Sequence, residues 1–185
     1  PDHAERAVAC ALAMDDFAVA FAAGQNEAGV PFGKTRIGVN TGPAVVGNFG
    51  GGRRFDYTAH GDAINTAARL EAANKALGTR ICIAGSTVAA CPGRSFRPIG
   101  ILMLRGKAQG VPVFEPVASP KAEGQILEGH AFEERYREAY ARLTAGEEAG
   151  AEAMTALHAE RPDDAIVALH ARRIASGERS LNIAA

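Results

Sequence analysis

Tyr57–Glu71 reads YTAHGDAINTAARLE, and its pattern changes halfway along. Tyr57 to His60 suits a strand, where aromatic and β-branched residues pack well. From Gly61 onward, alanine, isoleucine and leucine predict a helix. Asn65 and Arg69 are four residues apart, so they share one side of that helix. The spacing predicts a packed stripe of Ile64, Ala67, Ala68 and Glu71. Asn65 and Arg69 would lie about 100° around from it, at the rim of the buried face. Both side chains can donate to anionic oxygens, and arginine does so as a two-toothed fork. Many surface helices carry the same two residues, so the pair by itself does not establish phosphate chemistry.

Upstream of this stretch, a helix is expected from His3 to about Phe21. Val8, Ala11, Leu12 and Phe17 recur along it, Asp2 stands at its start and Gly24 follows its end. KTRIGVNT, residues 34–41, reads as a strand with Ile37 and Val39 on one face. PAVVGN follows as a second strand after the turn residues Thr41-Gly42-Pro43. The glycine tract in FGGGRRF fits a hairpin tip, and Arg54–His60 returns as a third strand.

Downstream, Gly78 closes the central helix. RICIA, residues 80–84, is a short strand, and Ser86 is placed to cap a brief helix ending at Cys91-Pro92-Gly93. Strands are expected at Arg97–Leu104 and Val111–Val117, joined by GKAQG. After Pro120 the pattern is helical: Ile126–Leu143, Glu147–Glu160 and Asp163–Ala175, separated by Gly146 and Pro162. Phe132, Tyr136 and Tyr140 recur every fourth residue, as a packing face does. The fold class is therefore α+β with a helical tail, and the hairpins beside amphipathic helices suggest a sheet covered on one face.

The bulk properties exclude several functions. Of 185 residues, 20 are basic and 21 acidic, giving a net charge of −1. A nucleic-acid or anionic-membrane binder would carry a basic excess, so neither partner is expected. Cys10, Cys82 and Cys91 are odd in number and lack metal-like spacing; they read as small buried residues in a reducing, cytoplasmic setting. No stretch reads as approaching the ~20 apolar residues of a membrane span. The polar opening PDHAER does not resemble a signal peptide. A chain that begins with Pro1 looks like a piece of a longer protein.

The order IGVNTGPAVVGN, glycine tract, RRFDYTAHGD, AINTAARLE, RICIAGSTV and FRPIGILMLRGK…VPVFEP resembles the class III nucleotide cyclases over residues ~1–117. The stretch G-D-x-x-N-x-A-A-R-L-E carries the likeness most specifically. The resemblance implies a ferredoxin-like cyclase fold without its N-terminal strands over residues 1–118, followed by a helical extension over 119–185. It implies conversion of ATP to 3′,5′-cyclic AMP and pyrophosphate by two Mg²⁺ or Mn²⁺ ions at a homodimer interface. It places Asn65 and Arg69 as the catalytic pair on ribose and phosphorus, where a preorganised cation lowers the barrier. Thr58 stands where the family reads the purine edge; its hydroxyl can face the adenine amino group, though a threonine in a strand needs no such role. Arg105 stands where the family places a triphosphate-binding lysine, and the change of residue keeps the charge but alters the fork.

The resemblance puts the two metal-binding aspartates and a second purine-reading lysine upstream of residue 1, and none of Asp15, Asp16, Asp56 or Asp62 falls at those positions. The chain alone is therefore expected to be inactive and to bind no metal. Its missing central strands should leave open edges and apolar faces that favour self-association. His60 is not expected to act as a base. The run from Phe49 to Gly52 lacks the Gly-Lys-Ser/Thr ending of a P-loop. PDDAIVALHARRIASGE weakly suggests a tetratricopeptide-like remnant. A non-catalytic cyclase-like module for regulation or dimerisation is the alternative function, and a generic ferredoxin-like interaction domain explains the fold but not the polar helix edge.

Overall fold

The computed structural model describes residues 2–52, 54–117 and 123–184. The elements run α1 (His3–Glu27), β1 (Ile37–Val39), β2 (Val45–Gly51), β3 (Arg54–His60), α2 (Asp62–Leu77), β4 (Ile81–Ala84) and α3 (Gly85–Ala89). They continue with β5 (Phe96–Met103), β6 (Val111–Pro116), α4 (Glu123–Thr144), α5 (Glu148–Glu160), α6 (Ala165–Ala175) and β7 (Asn182–Ala184). The expected boundary between residues 118 and 119 lies outside the described residues.

Five strands form a mixed sheet in the order β1-β4-β6-β5-β7, while β2 and β3 form a separate antiparallel hairpin. β1 runs parallel to β4, pairing Gly38 with Cys82. β7 runs parallel to β5, pairing Leu102 with Ile183. Nothing in the sequence pattern marks a strand at 182–184. A three-residue strand has no readable period and exists only because the edge of β5 is there to pair with. Gly100 makes room for it: an added Cβ would lie 2.8 Å from the Leu181 carbonyl and 2.7 Å from Ile183 Cδ1.

The sheet is covered on both faces, which corrects the expectation of one. All four residues of β4 are buried. Ile81 and Ile83 point into a cluster with Ala4, Val8 and Ala11 of α1. Cys82 and Ala84 point the other way, into the larger core built from α2, β5, β6, the tail helices and Ile183. Alternation along a strand sends successive side chains to opposite faces, so four apolar residues in a row require two covered faces. Phe132 and Tyr136 are fully buried in the larger core, as the packing-face reading requires.

Several local expectations change. α1 runs through Gly24 to Glu27, and Asp2 makes no side-chain cap. Its buried stripe is Ala4, Val8, Ala11 and Asp15, whereas Phe17 is 71% exposed and stacks on Phe21. Asp15 is buried because Arg80 grips both its oxygens at 2.7 and 2.8 Å. By length and composition α1 could cross a membrane, contrary to the expectation for the chain, although here it packs one side onto the sheet. Ser86 lies inside α3 rather than capping it. Cys82 and Cys91 are buried, with burial pushing the Cys82 thiol up to about 12, but Cys10 is exposed.

Candidate functional site

The helix that carries Asn65 and Arg69 is fastened to β1 at both ends. Near its start, Asn40 Nδ2 donates to the Ala63 carbonyl at 3.0 Å, and Ser86 Oγ donates to Asn40 Oδ1 at 3.0 Å. Near its end, the buried Asn74 amide donates to the Ile37 carbonyl at 3.0 Å while Thr79 donates to its oxygen at 2.7 Å. Between these ties Gly38 lies directly on the helix backbone: an added Cβ would meet the Ala67 carbonyl oxygen at 2.1 Å. Gly78, in the left-handed conformation (φ +79°), ends the helix as its residue type predicts.

This anchoring fixes which side of α2 faces in. The buried residues are Ala63, Thr66, Leu70, Ala73, Asn74 and Leu77. The expected stripe of Ile64, Ala67, Ala68 and Glu71 is therefore corrected by a rotation of the helix, and Ile64 is 41% exposed. Alanine-rich helices leave the direction of the buried face weakly marked, and here the β1 contact decides it. Asn65 and Arg69 flank the buried stripe, and both are exposed. The Arg69 guanidinium donates from Nη1 to the backbone carbonyl of Arg105 at 2.5 Å.

Arg105 opens the turn between β5 and β6, and its side chain is exposed. Arg69 and Arg105, far apart in sequence, are thus brought together. Lys107 in the same turn was missed by sequence reasoning. Its Nζ lies 2.7 Å from Asp62 Oδ2 in the first turn of α2. The signal was present as a second cation two residues beyond Arg105. A groove of ≈ 560 Å³ runs here, bordered by Asn40, Thr41, Ser86, Asp62, Lys107 and Gln109 among others. Thr58 sits apart, exposed in the β2–β3 hairpin opposite Gly47. His60, in the same hairpin, stacks edge-on against Phe49 at 4.2 Å.

The arrangement presents donors and cations on one accessible flank, suited to an anionic ligand. Among the described residues no group of three or more His, Cys, Asp or Glu side chains could hold a metal ion. These described residues do not fit a metal pair.

A model of the adenylate and guanylate cyclase catalytic domain matches residues 1–114. Adenylate cyclase 1 of Rhizobium meliloti (strain 1021) is 41% identical over 121 residues, which is 65% of this chain and 18% of that protein. The adenylate cyclase of Anabaena cylindrica is 35% identical over 91 residues, 47% of this chain and 18% of that protein. Among solved structures, the adenylyl cyclase CyaB of P. aeruginosa matches with a TM-score of 0.52 and 28% identity, covering 60% of this chain and 56% of that one. The chain thus spans less than a fifth of the length of these two sequence relatives.

Proposed function

The chain belongs to the adenylate and guanylate cyclase catalytic-domain family, and from that premise we propose that it supplies one half of a site converting ATP to 3′,5′-cyclic AMP and pyrophosphate. The reading rests on one observation above the others: Asn65 and Arg69 stand exposed on the outer flank of α2, where a second subunit's substrate can reach them. ATP rather than GTP is favoured by Thr58 and by relatives named as adenylate cyclases.

Attack of the ribose 3′-oxygen on the α-phosphorus gathers negative charge on the phosphoryl oxygens. A guanidinium held in place meets that charge without having to reorganise. Arg69 takes this role: Nη1 stays on the Arg105 carbonyl while the remaining guanidinium N–H groups are free to meet phosphate. Asn65, one turn earlier, orients the ribose. Arg105 holds the polyphosphate. Any metal ions for this reaction would have to be held by carboxylates outside the described residues and would supply Lewis-acid chemistry there. The site is shared between two subunits in a homodimer, consistent with the apolar residues left open on α1 and the hairpin, such as Phe17, Val45 and Tyr57.

Asn65→Ala and Arg69→Ala in the full-length protein test this reading. Loss of one transition-state donor costs roughly 3 kcal/mol, on the order of a hundredfold in kcat. Both side chains are exposed, so the melting temperature should hardly move. Unchanged turnover in both variants refutes the assignment, and the non-catalytic module then becomes the better account.

A further inference from the structure

The turn between β5 and β6 touches α2 at two places that bracket Asn65. At one end Lys107 Nζ meets Asp62 Oδ2 at 2.7 Å; at the other Arg69 Nη1 donates to the Arg105 carbonyl at 2.5 Å. Positions 62, 65 and 69 are separated by three and four residues, so they share one flank of the helix. The turn is also shaped internally. Lys107 N–H donates to the Leu104 carbonyl at 3.0 Å, and Gly106 adopts φ +79°. Two contacts on opposite sides of Asn65 define both the position and the tilt of a turn that one contact would leave free to swing.

We infer that Asp62 and Lys107 form a positioning pair for the cyclisation proposed above. Their ion pair sets the turn against α2, and so places the Arg105 cation and the Arg69 guanidinium on the same side of the substrate. The inference rests on that proposed reaction. Lys107 does not touch the phosphates in this account. Asp62 neutralises it and aims it away from them.

Stability does not account for the pair by itself. The Lys107 side chain is 23% exposed and that of Asp62 77%, and an ion pair with one partner standing in water contributes little to folding. The turn has no other side-chain tie to the first turn of α2 among the described residues. An ångström-scale shift of a catalytic group can cost on the order of a hundredfold in rate, so a pair that matters little for folding can matter a great deal for turnover.

The test uses the full-length protein, with ATP as substrate and cyclic AMP as readout. Asp62→Asn and Lys107→Met should each lower kcat about tenfold or more. KM for ATP should move less than threefold, and the melting temperature should stay within about 2 °C. The exchanged pair, Asp62→Lys with Lys107→Asp, should recover most of the lost kcat. Should a single variant fold poorly, Lys107→Arg and Asp62→Glu keep the pair and should keep turnover. Two results would overturn the inference. One is a large rise in KM on Lys107→Met with kcat intact, marking direct phosphate binding. The other is a failure of the exchanged pair to recover any activity that the single changes removed. Asn65→Ala and Arg69→Ala measured beside them separate the two ideas. If those abolish turnover while the Asp62 and Lys107 variants are normal, only the positioning role fails. If those are normal as well, the cyclase reading itself fails.

Discussion

Replacing Arg97 with methionine removes the cation at the centre of a buried junction between sheet and tail. Arg97 side-chain exposure is 9%. Its guanidinium contacts Asp164 at 2.6 and 3.1 Å, Glu115 from Nε at 2.5 Å and Glu133 at 3.4 Å. It also lies 5.0 Å above the Tyr136 ring. These partners come from β6, α4 and the start of α6, so one side chain on β5 ties four parts of the fold. Methionine fills much of the volume but leaves three carboxylates facing one another without the cation they share. Breaking a buried pair by removing one partner costs roughly 3–5 kcal/mol, which for a chain of this size lowers the melting temperature by about 10 °C.

The loss should depend on pH in a definite direction. Burial raises Glu115 and Glu133 above the ordinary carboxylate value, while Arg97 pulls both back down. Without Arg97 both rise further. A carboxyl whose pKa is higher in the folded state contributes most at low pH, and that contribution is lost as pH rises through the folded value. The deficit of Arg97→Met relative to the parent chain should therefore be largest at neutral pH and shrink toward pH 4.5, the ordinary carboxylate value. Urea unfolding of both chains at several pH values measures this. A neutral-pH deficit below about 1 kcal/mol, or one that does not change on acidification, refutes the reasoning.

Gly38→Ala should destabilise the chain by about 1–3 kcal/mol or more, because the new methyl group would press on the α2 backbone; thermal melting reads it, and an unchanged midpoint contradicts the contact. Asn74→Ala should cost about 1–3 kcal/mol, since the Ile37 carbonyl and the Thr79 hydroxyl lose their shared partner; chemical unfolding gives the number. His170 is buried among Tyr136, Tyr140 and β5, and burial, with Arg173 adding to it, pushes it down to about 4. A base with a depressed folded pKa contributes stability above its unfolded value of 6.5, lost as pH falls toward 4. Up to about 3 kcal/mol should therefore disappear over that window, and His170→Gln should flatten the slope in an acid titration.

Local signals settled the order of the elements. Gly78 stops α2 because a left-handed residue suits glycine, and the alternation in IGVNT and the alanine-rich runs mark strand and helix without help from distant residues. The family likeness was legible for the same reason, since GDAINTAARLE is one continuous stretch. The site was legible only in part. Asn65 and Arg69 share a helix face by spacing alone. That Arg69 rests on the Arg105 carbonyl, and that Lys107 reaches Asp62, depends on how a turn 36 to 45 residues away is laid against the helix.

The amino-acid sequence by itself determined which segments up to Ala175 become helices and strands, because helical and strand periods and glycine turns are properties of neighbours along the chain. Only the tertiary structure decided which side of α2 is buried, that both faces of β4 are covered and that β7 completes the sheet edge. Those choices are set by contacts between residues far apart in sequence: the bare backbone of Gly38 against α2, the notch at Gly100, and the Arg97 junction. No local pattern encodes them, since each depends on a partner that is present only once the chain has folded.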